Sequence, residues 1–171
     1  KGDINSSSSL FRVDENSIMK ILVTGASGFI GAAVCRQLIS ESQNVLPVYR
    51  NVHSSGLDIG NINGSTNWNS ALSNITHVIH TAARVHIMRE NITDPLYEFH
   101  KVNVEGTLNL ARQAADLGVT RFIFISSAKV NGEQTEPGTA FTEEDISRSD
   151  DPYTNSKYEA EEGLRCISSK T

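Results

Sequence analysis

The chain has 171 residues, enough for one domain with a sizeable core and too few for two ordinary domains. Its formal net charge of −5 at pH 7 comes with no basic cluster, which argues against a nucleic-acid-binding surface. No apolar stretch approaches the roughly 20 residues that cross a bilayer. We therefore expect a soluble, cytoplasmic domain without nucleic-acid or membrane partners.

Residues 1–18 contain a serine run and no periodic pattern ahead of Met19. We predict a disordered tail or a cloning remnant there, followed by one domain over residues 19–171. Cys35 and Cys166 fall in separate predicted helices, with no C-x-x-C pair and no clustered histidines. Two free thiols are expected, and the sequence indicates no metal site.

After Met19, short apolar runs alternate with longer helical patterns, which is typical of βαβ units in a doubly wound α/β fold with a parallel sheet. Pro47 conflicts with the second strand, because proline removes a ladder donor. The predicted strands are Lys20–Thr24, Val45–Tyr49, about Gly56–Ile59, His77–Thr81 and Arg121–Ser126. The predicted helices are Phe29–Ser40, about Leu96–Leu117 and Tyr153–Ser168, with a short helix or turn near Trp68–Leu72.

The first strand runs into a glycine-rich turn, T-G-A-S-G-F-I-G at Thr24–Gly31. Residues without a Cβ let the backbone turn sharply and approach a ligand, and the start of the next helix offers free N–H groups to a pyrophosphate. A strand–helix turn that merely uses glycine is the structural alternative. The predicted dinucleotide-binding residues here are Gly25, Ser27, Gly28, Phe29, Ile30 and Gly31.

Tyr153 and Lys157 lie four residues apart in the last predicted helix, so they share one face. A nearby ammonium favours the phenolate, which would let Tyr153 act as a general acid or base while hydride moves to or from a nicotinamide. Lys157 would also hold the nicotinamide ribose. Ser126 and Ser127 end an apolar strand at the edge where open α/β sheets place ligands, and either serine is a candidate for the partner hydroxyl.

The G-x-x-G-x-x-G spacing resembles the short-chain dehydrogenase/reductase superfamily, and the full Thr24–Gly31 turn resembles its extended branch. Four more segments are similar, in order and spacing, to UDP-glucose 4-epimerase-type proteins. They are L-D-I at Leu57–Ile59, V-I-H-T-A-A-R at Val78–Arg84, V-N-V-E-G-T at Val102–Thr107 and R-F-I-F-I-S-S at Arg121–Ser127. The resemblance runs from Met19 to about Cys166. It implies a Rossmann-type domain with Ser127, Tyr153 and Lys157 as the catalytic residues.

The same resemblance implies NAD as the cofactor, held in part by Tyr153 and Lys157. An NAD-specific member usually ends its second strand with Asp or Glu, whereas this chain has Arg50, which can accommodate the 2′-phosphate of NADP. Asn103 would fix the neighbouring strand and helix. His80 and His86 match no catalytic position. Asp58 and Ile59 would flank the adenine, and Thr81, Ala82 and Ala83 would line the pyrophosphate and nicotinamide side.

For function, the resemblance implies a nucleotide-sugar 4-epimerase, an isomerase that works by transient oxidation at sugar C4 and return of the hydride. An oxidoreductase of the same family, a 4-keto-sugar reductase, is the alternative. A dehydratase is disfavoured because Ala128 and Lys129 stand where that class carries an Asp-Glu pair. A non-catalytic dinucleotide sensor is the alternative from another class, although such proteins usually lack the tyrosine or the lysine.

Members of this family continue past the tyrosine helix into another strand and a smaller domain that closes over the sugar. We therefore expect a chain truncated before this C-terminal substrate domain, inactive by itself, with the Arg121–Ser126 strand as an exposed edge prone to association. The complete protein is expected to form a homodimer through the helices at residues 96–117 and 153–168.

Overall fold

Five parallel strands form the centre of the domain in a computed structural model that describes residues 19–51, 55–85, 94–145 and 149–169. The spatial order is β3-β2-β1-β4-β5. The strands are β1 (Lys20–Thr24), β2 (Asn44–Tyr49), β3 (Leu57–Asp58), β4 (His77–His80) and β5 (Arg121–Phe124). The predicted parallel α/β fold is confirmed. The predicted tail at residues 1–18 lies outside the described residues.

Helices cover both faces of this sheet. Leu22 of β1 packs with Trp68 and with Leu110 of a helix on one face. Ile21 and Val23 point to the other face and pack with Cys35. This alternation along a single strand is what a doubly wound sheet requires, because each face needs its own apolar layer. The helices are α1 (Phe29–Ser40), α2 (Pro95–Phe99), a π-helix (His100–Gly106), α3 (Thr107–Asp116), a 3-10 helix (Ala128–Val130) and α4 (Pro152–Ser168).

The predicted single helix at Leu96–Leu117 is wrong in its interior. Seven residues in its middle, His100–Gly106, form a π-helix between two α-helical pieces. At the end of that segment a Cβ on Gly106 would lie 2.7 Å from Ile62 Cγ2, so the backbone packs directly against the loop after β3. Apolar periodicity cannot detect one extra residue in a turn. Gly118, with φ +77°, follows the helix as a C-terminal cap glycine, as predicted.

The second strand accommodates Pro47 because its neighbour β3 is short. β2 pairs with β1 from Asn44 to Val48, including Val23 opposite Pro47. β3 pairs only with Val48 and Tyr49, so the β3 ladder begins one residue beyond the proline.

Strands β4 and β5 end one and two residues earlier than predicted. Thr81 leaves the β4 ladder, and its Oγ1 donates to the carbonyl of Thr24 over 2.7 Å. Beyond β5, Ile125 N–H still donates to His80 O over 3.1 Å, but the Ile125 carbonyl accepts a side-chain bond from α4. The carbonyls of Thr24 and Ile125 at this edge therefore accept side-chain donors. Within the described residues, no helix is both long and apolar enough to span a membrane.

Candidate active site

The glycine turn between β1 and α1 packs too closely on the β4 loop for side chains. Gly25 has φ +68°, and a Cβ there would lie 2.8 Å from both Ala82 N and Thr81 Oγ1. A Cβ on Gly31 would overlap the Gly25 carbonyl and lie 2.7 Å from Thr81 Oγ1. Gly28 caps the helix with extended backbone, φ −78° and ψ 169°. Glycine at Gly25 and Gly31 is therefore required by backbone approach as well as by turn geometry.

The first turn of α1 is free to receive an anion. Among the described residues no side chain caps its N–H groups, and no acidic residue lies in that turn. Phe29 is 95% exposed and Ile30 is 47% exposed. These two residues therefore offer their backbone N–H groups to a ligand rather than side chains packed in the core. Uncompensated N–H groups at a helix N-terminus fit a pyrophosphate, so the residues present fit the dinucleotide that the sequence implies.

A cavity of about 450 Å³ opens in front of this turn. That volume lies within the range of small-molecule sites. Eight of the predicted cofactor residues line it: Gly25, Ser27, Gly28, Arg50, Ile59, Thr81, Ala82 and Ala83. The other predicted cofactor residues, Phe29, Ile30, Gly31, Asp58, Tyr153 and Lys157, are not in its wall.

Asp58 is engaged locally. Its Oδ1 accepts the N–H of Gly60 over 2.9 Å, which caps the turn after β3. Gly60 has φ +71°, a backbone conformation that glycine adopts without strain. Ile59 N–H donates to Tyr49 O over 3.0 Å and holds this turn beside the end of β2. The carboxylate of Asp58 thus does not line the cavity itself but stabilises the turn at Gly60, which does.

Sequence reasoning missed much of the wall of the cavity. Two polar side chains one turn apart on α3 hold the loop that forms part of it: Asn109 Nδ2 donates to Thr66 O over 2.7 Å, and Gln113 Nε2 donates to the same carbonyl over 2.9 Å. Polar residues at i and i+4 on a helix with a buried face were the available signal. The missed lining residues are Val48, Tyr49, Gly60, Asn61, Ile62, Asn63, Arg84, Glu98, Lys101 and Val102.

Ser127 and Tyr153 come together at the carboxyl edge of the sheet, where the Ser127 hydroxyl is close enough to act on the pKa of the Tyr153 phenol. Burial raises the pKa of the Tyr153 phenol; the Ser127 hydroxyl opposes that shift, and the carboxylate of Asp151 adds to it. The sequence predicted that Lys157 lowers this pKa, but Lys157 does not contribute to it. Its ammonium donates to Ile125 O instead of facing the phenol. Ser126, the alternative serine, has a buried Oγ without a hydrogen-bond partner among the described residues.

The ammonium of Lys157 is buried between α4 and β5. The residue is 2% exposed, and its Nζ donates to Ile125 O over 2.6 Å and lies 3.9 Å from the centre of the Phe124 ring. Burial lowers the pKa of Lys157 to about 8, and Glu161 partly opposes this shift. A carbonyl and an aromatic face are the contacts that a buried cation needs.

The start of α4 fixes Tyr153 in place. Asp151 caps the helix by accepting the N–H groups of Tyr153 and Thr154 over 3.2 Å and 3.3 Å. Pro152 occupies the first helical position, as predicted. Lys129 Nζ lies 3.9 Å from Asp151 Oδ2, and Lys129 N–H donates to Ser127 Oγ over 3.3 Å. The turn after β5 is therefore tied to the helix that carries the tyrosine.

A family model described as NAD dependent epimerase/dehydratase family matches residues 21–170. The chain belongs to the NAD dependent epimerase/dehydratase family. A UDP-glucose 4-epimerase of Vibrio cholerae is 44% identical to it over 156 residues, which cover 88% of this chain and 48% of that protein.

Two solved structures share the fold. A short-chain dehydrogenase/reductase superfamily protein from Agrobacterium tumefaciens with bound NAD has a TM-score of 0.74 and 28% identity over 86% of this chain and 44% of its own. MoeE5 in complex with UDP-glucose and NAD has a TM-score of 0.71 and 31% identity over 86% of this chain and 48% of its own. The chain thus spans about half the length of these relatives.

Proposed function

We propose that the protein to which this domain belongs is an NAD-dependent UDP-sugar 4-epimerase. The observation that carries the proposal is the meeting of Ser127 and Tyr153 at the carboxyl edge of the sheet that also bears the cleft on the glycine turn. The relative from Vibrio cholerae is a UDP-glucose 4-epimerase, and MoeE5 binds both UDP-glucose and NAD, which supports this substrate and cofactor class.

Each catalytic side chain has one task in this proposal. Tyr153 removes the proton from the sugar C4 hydroxyl and later returns it, acting as base and then acid. Ser127 stabilises the phenolate by donating its hydroxyl to it, an effect that already opposes the rise in the pKa of Tyr153 caused by burial. Lys157 places a buried positive charge beside the Ile125 carbonyl at the same edge. The bound dinucleotide supplies the hydride acceptor and donor.

The cleft also suits the dinucleotide electrostatically. Three of its described lining residues are cationic: Arg50, Arg84 and Lys101. One is acidic, Glu98, and its carboxylate pairs with Arg84 over 3.1 Å. The chain as a whole carries a formal charge of −5. An anionic ligand is therefore favoured at this place on a protein that is otherwise acidic.

A 4-keto-sugar reductase is the second candidate, and Arg50 favours it. This residue lines the cavity just after β2, where an NAD-specific site usually presents an acid to the ribose. Tolerance of NADP would fit an enzyme that consumes reduced cofactor in each turnover. The sensor alternative is disfavoured by the Ser127–Tyr153 contact, which a non-catalytic module does not need.

Assays of the complete protein separate these activities. An epimerase interconverts UDP-glucose and UDP-galactose without net change in cofactor absorbance, whereas a reductase oxidises reduced cofactor only when a UDP-4-keto sugar is present. Binding of dinucleotide with neither reaction, across a panel of UDP-sugars, would contradict both candidates and support the sensor. The domain assayed alone is expected to be inactive, because most of the sugar-binding residues are proposed to lie outside it.

A further inference from the structure

His80 is a buried histidine for which the proposed chemistry has no use. It is the last residue of β4 and is 1% exposed. Both ring nitrogens are bonded: Nδ1 lies 2.6 Å from Thr24 Oγ1, and Nε2 lies 2.9 Å from Thr107 Oγ1. Because Thr24 ends β1 and Thr107 begins α3, the ring joins two strands and a helix at the carboxyl edge of the sheet. It is a core residue, and His86 lies outside the described residues.

The Thr24 bond connects His80 to the dinucleotide cleft. Thr24 Oγ1 also accepts the N–H of Ala82 over 3.2 Å, and Thr24 O accepts Thr81 Oγ1 over 2.7 Å. Gly25 packs on Ala82 N and Thr81 Oγ1, and both of these residues line the cavity. The position of the Thr24 hydroxyl therefore sets the spacing between the glycine turn and the β4 loop.

On its other side, His80 faces the ring that supports Lys157. The imidazole lies nearly parallel to Phe124, at 22° with 5.9 Å between ring centres, and at 49° to Phe122 over 6.0 Å. Lys157 Nζ lies 3.9 Å from the centre of the same Phe124 ring. A shift of the imidazole would therefore displace the aromatic face under the ammonium.

We propose that His80 is a positioning residue that couples the two halves of the site, holding the β4 loop on the glycine turn through Thr24 and the Phe124 ring under Lys157. The inference rests on the proposed function for the roles of the cleft and of Lys157. It adds a single buried side chain whose displacement disturbs dinucleotide binding and the catalytic lysine together.

The surroundings of His80 keep the ring neutral. Burial, and secondarily the charge of Lys157, lowers the pKa of His80 to about 3. Thr24 from β1, Thr107 from α3 and the phenylalanines of β5 are uncharged, so Lys157 of α4 is the charged group acting on the ring among the described residues. A neutral ring has one donor and one acceptor nitrogen, which matches one hydroxyl at each nitrogen.

The test uses four variants of the complete protein. His80→Phe keeps a stacked ring and removes both hydrogen bonds. Thr107→Val removes only the Nε2 partner at nearly constant shape, and Thr107→Ser restores that hydroxyl. His77→Phe is the matched control, since His77 lies on the same strand and bonds the neighbouring Thr76 Oγ1 over 2.9 Å. NAD affinity is measured by calorimetry, and the Lys157 Cε protons are followed by NMR, because the Phe124 ring current shifts them.

We expect His80→Phe and Thr107→Val to weaken NAD binding by about tenfold and to move the Lys157 signals toward ordinary lysine positions. Thr107→Ser and His77→Phe should match the wild type. NAD affinities within about twofold of wild type, with unmoved Lys157 signals, would overturn the inference. If His80→Phe does not fold, Thr107→Val decides. If the wild type binds NAD but epimerises no UDP-sugar, the proposed function fails, whereas the Lys157 signals still test His80.

Discussion

Asn103 of the π-helix and Ser156 of α4 share a buried hydrogen bond of 2.9 Å between Nδ2 and Oγ. The same amide donates to Arg84 O over 2.9 Å and accepts Arg84 N–H over 2.8 Å. Ser156 in turn donates to Tyr153 O over 2.7 Å. One side chain thus fastens the β4 loop to the turn of helix that carries Tyr153, the role that the sequence predicted for Asn103.

Asn103→Ala is expected to lower the free energy of unfolding by about 2–4 kcal/mol, because it removes the buried bond to Ser156 and both part-buried bonds to the Arg84 backbone. Urea unfolding measures the change. Asn69→Ala, at an exposed position, serves as the control and should shift stability by less than about 0.5 kcal/mol. Equal effects from the two substitutions would show that the Asn103 bonds contribute nothing to stability.

Tyr153→Phe is expected to lower turnover of the complete enzyme by at least about 10²-fold while dinucleotide affinity stays nearly unchanged. The phenol hydroxyl is the proposed acid and base, and the Tyr153 ring does not line the dinucleotide cavity. Tyr158→Phe, five positions along the same helix, is the control and should retain full activity. Turnover of Tyr153→Phe within a few-fold of wild type would remove Tyr153 from the mechanism.

The buried histidine predicts how stability depends on pH. His80 has an unfolded pKa near 6.5 and a folded pKa of about 3, so the unfolded chain binds more protons between these values. Its contribution is fully present above pH 6.5 and falls as pH drops, by up to about 1.4 kcal/mol per pH unit. From pH 7 to pH 5, the wild type should lose about 2 kcal/mol more than His80→Phe in urea unfolding. If the free energies of unfolding of the two proteins fell equally with pH, His80 would not be buried in its neutral form.

Arg50→Asp tests cofactor choice. An aspartate at this position can bond a ribose 2′-hydroxyl and repels a 2′-phosphate, so the substitution should strengthen NAD binding and weaken NADP binding. Titration of both dinucleotides against wild type and variant measures the switch. Arg36→Asp, on the outer face of α1, controls for the change in net charge. If the wild type strongly prefers NAD and the variant binds NAD no more tightly, Arg50 does not determine cofactor choice.

The complete protein is expected to be a two-fold dimer through the helices at residues 96–117 and 153–168. In the described domain these helices pack against each other, and Leu96 and Tyr97 of α2 remain more than half exposed, at 55% and 54%. Light scattering of dilute protein should give twice the chain mass, and Leu96→Arg should shift it toward monomer. Phe141→Arg, at an exposed apolar position outside these helices, should not. A wild type that is monomeric on dilution contradicts the expectation.

Short-range patterns by themselves determined β1, α1, the glycine turn and the shared face of Tyr153 and Lys157. The predicted limits Lys20–Thr24 and Phe29–Ser40 match the structure at both ends. Each of these features depends on residues a few positions apart, which is the range over which turn chemistry and helix period act. The order of such units also determined the parallel sheet, because βαβ connections leave few alternatives.

Tertiary structure alone decided the contacts that join distant segments. His80 bonds Thr24 across 56 positions and Thr107 across 27, and Lys157 finds its carbonyl partner 32 positions away at Ile125. Contacts between distant segments also hold the π-helix, where Gly106 packs on Ile62. The loop that contributes Gly60–Asn63 to the cavity wall is held by Asn109 and Gln113, which both donate to Thr66 O. A buried polar group takes whichever partner the packed fold brings within reach, and that choice leaves no periodic trace in the sequence.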